Sequence, residues 1–169
     1  MTDDDGGDQK AGYWSVLEPY WEQIDIYGGP GRFLATYNAA PEVPQVLFAA
    51  HFCESEVGNG GFHQFFSNPT GVLAPEAARA YRRVGLPDLA GIVEEAMAFW
   101  RSPYPRDQGE RQGSLVRPPS NGRKEFDPFV ALDERFYAAC GHDANGLYSG
   151  TRLYDALDAF ASGGRAAQR

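Results

Sequence analysis

The chain lacks the features that most directly announce a function. No apolar run approaches the roughly 18 residues needed to cross a bilayer. Cysteine is scarce: Cys53 and Cys140 are the only two in 169 residues. Neither belongs to a Cys-x-x-Cys pair, which speaks against a disulfide framework and for two buried thiols in a reducing, cytoplasmic setting. There is no GxGxxG, P-loop, HExxH or GxSxG. The glycine runs at 28–31 (GGPG) and 58–61 (GNGG) lack the strand-then-helix context of a phosphate loop. No segment alternates with period two like a strand, and there is no internal repeat. The first ten residues, MTDDDGGDQK, are acidic and polar, the opposite of a signal peptide, so no leader is expected. With no catalytic motif, the expectation is a non-enzyme without cofactor or metal centre.

What is present is ordinary in bulk: 43% hydrophobic and 14% aromatic residues, enough for one domain with a substantial core. The net charge of −8 is unevenly spread. Residues 1–60 carry −8, residues 61–124 carry +3 and residues 125–169 carry −3. An acidic chain is a poor direct ligand for nucleic acid, whose phosphates must be met by Lys and Arg. It suits a basic protein surface as partner. The arginines of the middle segment read as helix-end charge (Arg79, Arg82, Arg83) and as decoration of a solvated loop.

Apolar residues recur at steps of three and four almost throughout, predicting an all-α fold, a single compact bundle of about seven or eight short helices. Residues 1–10 read as a disordered acidic tail and 163–169 as a flexible C-terminal one. The all-helical domain would span 11–162, with a long exposed loop at 101–127 rich in proline. Trp14, Leu17, Trp21 and Ile24 mark a first helix whose regular part is expected to start at Pro19. A helix over 42–57 follows, then "CESEVGNGGFHQFFSNPTG" at 53–71. There Gly58 would take positive φ at a helix end and Asn59 would cap the next helix. Phe62, Phe65 and Phe66 would point inward, and Asn68-Pro69 would stop the helix.

Three chemical readings of this stretch compete with the structural one. His51, Glu54 and His63 form a two-histidine, one-carboxylate set suited to a metal-dependent enzyme or small-ligand site. Glu54 and Glu56 could be paired acids, but residues two apart on a helix face apart by about 200°. Cys53 could be a nucleophile, yet it lies on the apolar stripe, where burial blunts a thiol.

Glu56, Asn59, Gly60, Gly61, Phe62, Gln64, Phe65, Phe66, Asn68 and Gly71 together fit a Glu-x-x-Asn-Gly-Gly-Phe-x-Gln-Phe/Tyr-Phe-x-Asn-x-x-Gly pattern. In this the chain resembles a largely uncharacterised bacterial family that includes a DNA-mimic protein. The later "ALDERFYA" is similar to that family's Leu-Asp-x-x-Phe/Tyr element, and the likeness extends over roughly residues 13–160. The resemblance implies an all-helical, non-enzymatic fold whose signature is scaffold, and an acidic surface that occupies a DNA-binding protein. A toxin neutralised by an immunity-type protein is the other partner class. A domain with a radius of gyration near ~15 Å spans about 40 Å, a length over which duplex DNA carries roughly 23 phosphates. Without the tail the body has 19 acids and 14 bases. Mimicry therefore requires the acids on one face, or a homodimer joining two such faces. Glu18, Glu22, Asp25, Glu42 and Glu56 are the candidate contributors.

Overall fold

A computed structural model describes residues 12–115, 127–142 and 145–167. Among them stand eight α-helices: α1 (Trp14–Trp21), α2 (Pro30–Ala39), α3 (Glu42–Ser67), α4 (Ala74–Arg83), α5 (Pro87–Met97), α6 (Gln108–Ser114), α7 (Val130–Cys140) and α8 (Thr151–Ala167). A 3₁₀ turn, Pro69–Leu73, joins α3 to α4. There is no strand among the described residues; one isolated antiparallel bridge pairs His142 with Tyr148. No described helix is long and apolar enough to cross a membrane. The all-α expectation holds. The expected tail at 1–10 and the loop residues 116–126 lie outside the described residues.

α3 is the axis of the molecule. α1, α4, α6, α7 and α8 all pack on it. Its Val46, Leu47, Ala50, Cys53 and Val57 are buried, and so are Phe62, Phe65 and Phe66. The three phenylalanines enter an aromatic cluster: Phe66 meets Trp100 edge-on at 4.7 Å and Phe129 at 5.3 Å, and Phe62 meets Phe136 at 5.3 Å. Each fully buried ring of this size contributes about 2–3 kcal/mol of hydrophobic stabilisation.

Four details of the sequence reading are corrected. α1 lies before and across Pro19 rather than starting there. Burying Leu17 between Trp14 and Trp21 outweighs one missing hydrogen bond, and the helix ends soon after the proline. α3 does not end at Val57. Gly58 and Asn59 stay helical and exposed, and the break falls at Gly60 (φ −156°) and Gly61 (φ +72°). Gly61 is thus the residue in the left-handed region, and Asn59 caps nothing. The supposed exposed loop at 101–127 contains α6, and its described part is docked against the end of α3. Finally, α8 runs past the expected domain limit at 162 as far as Ala167, and residues 168–169 of the expected tail lie outside the described residues.

Candidate functional site

The signature region is built outward from the break in α3. Breaking a helix exposes backbone donors and acceptors that need partners. α7 supplies them: Asp133 Oδ1 accepts from the Phe62 N–H at 2.8 Å, and the Tyr137 hydroxyl donates to Val57 O at 2.9 Å. Asp133 is therefore the cap in place of Asn59, contributed from 71 residues away. Its carboxyl is lifted above the usual aspartate range by burial, against the pull of that N–H. Glu56 turns inward and accepts from Asn68 Nδ2 and Thr70 Oγ1, both at 3.0 Å, tying one limb of α3 to the turn after the other. Gln64 folds over Gly60, where any Cβ would collide with it. A Cβ on Gly71 would meet Arg111 Nε and Phe65 O at 2.8 Å.

The C-terminal end of α3 is closed by the segment expected to be a loop. Arg111 is fully buried and makes no direct ion pair with a described carboxylate. Its guanidinium donates to Phe66 O (2.9 Å), Asn68 O (2.8 Å) and Arg106 O (2.6 Å), so a cation sits among carbonyls at a helix C-terminus. Gln108 and Gln112 both donate to Ser67 O at 2.8 Å, and Tyr104 donates to Gly71 O at 2.8 Å. Beside them Glu76, 2% exposed, is held by Arg106 at 2.5 Å and by Arg79 at 2.7 Å. Arg106 and Arg111 are thus structural, not solvated decoration.

The metal-type constellation does not assemble. His51 shares a 2.9 Å hydrogen bond with the Tyr13 hydroxyl and sits among Trp14 and Trp21, and burial lowers its pKa to about 4. Glu54 is buried beneath the hydroxyls of Tyr148 and Tyr154, the latter at 2.9 Å. Burial raises its pKa, and the two hydroxyls pull it back down. His63 is exposed beyond the break, on the side of Asp133. No group of three potential metal ligands exists among the described residues. Cys53 is buried and its thiol is pushed up to about 12 by that burial, which keeps it un-ionised and unreactive at neutral pH.

Of the five candidate surface acids, only two are unspent. Glu18 and Glu22 lie one turn apart on the outer side of α1 with no ion pair or hydrogen bond on either side chain. Asp25 is paired with Arg32 at 2.7 Å, Glu42 with Arg83, and Glu56 is internal. Arginines elsewhere are consumed in the same way: Arg82 by Glu94 (2.5 Å), Arg135 by Glu95 and Arg152 by Asp88 (both 2.7 Å). Among the described side chains, Glu18, Glu22, Glu110, Glu134 and Asp155 are exposed without a partner, against Arg101 alone of the arginines. Ion pairing leaves the net charge as it is but makes the unpaired remainder almost wholly acidic. Sequence reasoning missed Asp133, although it lies within the ALDERFYA element. It also missed Arg111, Tyr148 and Tyr154, which no local pattern marks.

The family model described as DMP19-like protein matches residues 38–161. The chain belongs to the DMP19-like family. This is the DNA-mimic family that the signature at 56–71 indicates. The matched span holds α3 through most of α8, with the break, its Asp133 cap and the Arg111 closure, while α1 and the chain up to Tyr37 lie outside it. The likeness is therefore shorter at its start than the 13–160 expected. No curated protein and no solved structure matches the chain.

Proposed function

We propose that this protein is a non-enzymatic, cytoplasmic binding protein of the DNA-mimic type, which offers surface carboxylates to the basic face of a DNA-binding protein. The observation that carries the reading is the imbalance of unspent charge: five exposed carboxylates without a partner against one such arginine, among the described side chains. Family membership supports the same direction. A basic protein surface evolved to meet phosphates is attracted by such a field, and the attraction weakens with salt. The elements that would ordinarily suggest chemistry are otherwise engaged, since Glu54 and Cys53 are buried and the half-buried His51 is held against its own neighbours.

Affinity capture from the native host, followed by mass spectrometry and competition with duplex DNA, tests this. The expected result is a DNA-binding regulator or nucleoid protein that is released by roughly 0.5 M salt, where the screening length falls to a few ångströms. It should be displaced by DNA. Failure to recover any specific, salt-sensitive partner overturns the proposal. Recovery of a toxin that DNA does not displace favours the immunity-type reading instead.

A further inference from the structure

The segment from α1 to α2 forms a cleft of about 330 Å³, at the small end of the range of small-ligand clefts. Its inner wall is aromatic. Trp21 and Phe52 lie nearly parallel with centroids 5.2 Å apart, and Phe48 is tilted against both at 5.3 Å. Tyr27 stands edge-on to Phe52 at 6.4 Å and is 67% exposed, the most exposed large hydrophobic side chain described. Glu22 and Asp25 line the same cleft. Asp25 is already balanced by Arg32 at 2.7 Å, whereas Glu22 has no partner and Glu18 stands unpaired one turn earlier on the same helix. The cleft therefore combines π faces with uncompensated negative charge.

Three kinds of occupant can be compared. An anion is repelled by the carboxylates. An apolar side chain gains the aromatic wall but strips water from Glu22 without replacing its hydrogen bonds, which is unfavourable. A cation gains the exposed ring of Tyr27, the half-buried ring of Trp21 and the carboxylate, the combination that aromatic cages use to hold ammonium and guanidinium groups. Arginine fits better than lysine, because its planar, weakly hydrated guanidinium stacks on rings and donates in a fork to a carboxylate. Arg32, which also lines the cleft, donates a single Nε–H to Asp25 Oδ2, so the charge left for an incoming cation is that of Glu22.

We propose that this cleft is the receptor for an arginine side chain projecting from the protein partner, with Tyr27 and the half-buried Trp21 as the stacking surface, Phe52 packed behind them, and Glu22 as the counter-charge. The inference rests on the partner-binding reading above and adds to it a specific anchoring point. Because α1 and Tyr27 precede the family-matched span, which starts at residue 38, the anchor is set by this chain's N-terminal segment laid over the family scaffold.

Fluorine NMR of the full chain labelled with 5-fluorotryptophan tests it, since the only tryptophans are Trp14, Trp21 and Trp100. The probes are a twelve-residue arginine–glycine repeat peptide and its glutamine–glycine counterpart. The arginine peptide should shift the Trp21 signal saturably and leave Trp100 unmoved, while the glutamine peptide shifts neither. Tyr27→Ala and Glu22→Gln should each weaken binding about three- to tenfold, one bonding contact's worth. Glu134→Gln, which removes an unpaired carboxylate elsewhere, should leave it within twofold. Equal loss in Glu134→Gln, or no loss in the two cleft variants, overturns the proposal in favour of diffuse charge attraction. Self-association abolished by Tyr27→Ala overturns it in favour of a second copy as occupant. Capture of a cellular partner without peptide binding sinks the cleft alone; peptide binding without a cellular partner sinks the functional reading alone.

Discussion

The corner at Gly60–Gly71 and the face formed by α1 and Tyr27 are both rich in aromatic and acidic side chains, and they use them in opposite ways. The carboxylates at the corner are all engaged inside the fold. Glu56 ties Asn68 to Thr70, Asp133 caps Phe62, and Glu76 holds two arginines. On α1 the carboxylates of Glu18 and Glu22 do nothing for the fold, and Tyr27 is left largely in solvent. Buried polar groups must be satisfied or the fold fails, whereas exposed ones cost little to leave available. The difference teaches that a sequence signature marks where the fold is over-determined, and that binding has to be sought where polar and aromatic groups remain unspent.

The strongest way to break the contrast is to attack the corner at its most demanding point. Arg111→Met takes the guanidinium away from the carbonyls of Phe66, Asn68 and Arg106, of which Asn68 keeps the Gly71 N–H. It should cost about 3–5 kcal/mol in urea unfolding, with Arg111→Lys recovering only part, because an ammonium cannot reproduce the fork. Next, Gly61→Ala forces a Cβ onto φ +72° and to 2.5 Å from Asp133 Oδ2, for an expected loss of about 1–3 kcal/mol. Asp133→Ala should lose about 1–2 kcal/mol by removing the cap alone. Melting temperature or urea midpoint checks both.

Two titrating groups on α3, His51 against α1 and Glu54 against Tyr148 and Tyr154, sharpen the picture by opposing one another. His51 is held neutral by burial, its pKa lowered from 6.5 to about 4. A depressed histidine contributes stability that is complete above its unfolded value and is lost as pH falls. Unfolding free energy should therefore drop by about 2–3 kcal/mol between pH 6.5 and 4, and His51→Gln should flatten that slope. Glu54 is shifted upward, so its contribution is largest below the ordinary glutamate pKa and is lost as pH rises. Glu54→Gln, which can still bond both tyrosines, should be at least as stable as the parent at pH 8, the gap closing towards pH 4. Smallest of all should be the stability effect of Glu18→Gln, Glu22→Gln and Tyr27→Ala, each within about 0.5 kcal/mol by the same assay. If these variants unfold the protein, the α1 face is structural and the contrast collapses.

Much of the architecture is legible in sequence because helices are local. The apolar steps of three and four place α2, α4, α5 and α7 closely, and Gly85 (φ +82°) ends α4 as glycine commonly does. The inward set of Phe62, Phe65 and Phe66 is readable for the same reason. What misleads is equally local. Gly58-Asn59 is a good stop-and-cap pair on paper, yet Val57 and the packing of α7 carry the helix on to Gly60. Arginines and prolines between 101 and 115 imitate a solvated loop, yet Arg111 is 0% exposed. Counting acids overestimates the free ones, since Asp25, Glu42 and Glu56 are all consumed by other side chains.

The sequence by itself determined an all-helical class, a phenylalanine-lined core and a family, because periodicity and a dense signature are properties of neighbouring residues. Only the tertiary structure decided which polar groups are spent. Asp133 reaches Phe62 across 71 residues, Tyr154 reaches Glu54 across 100, and Tyr13 meets Asp158 across 145. Such pairings depend on where packing brings helices together, which no local spacing encodes. The charge left over for a partner is the remainder after they are made.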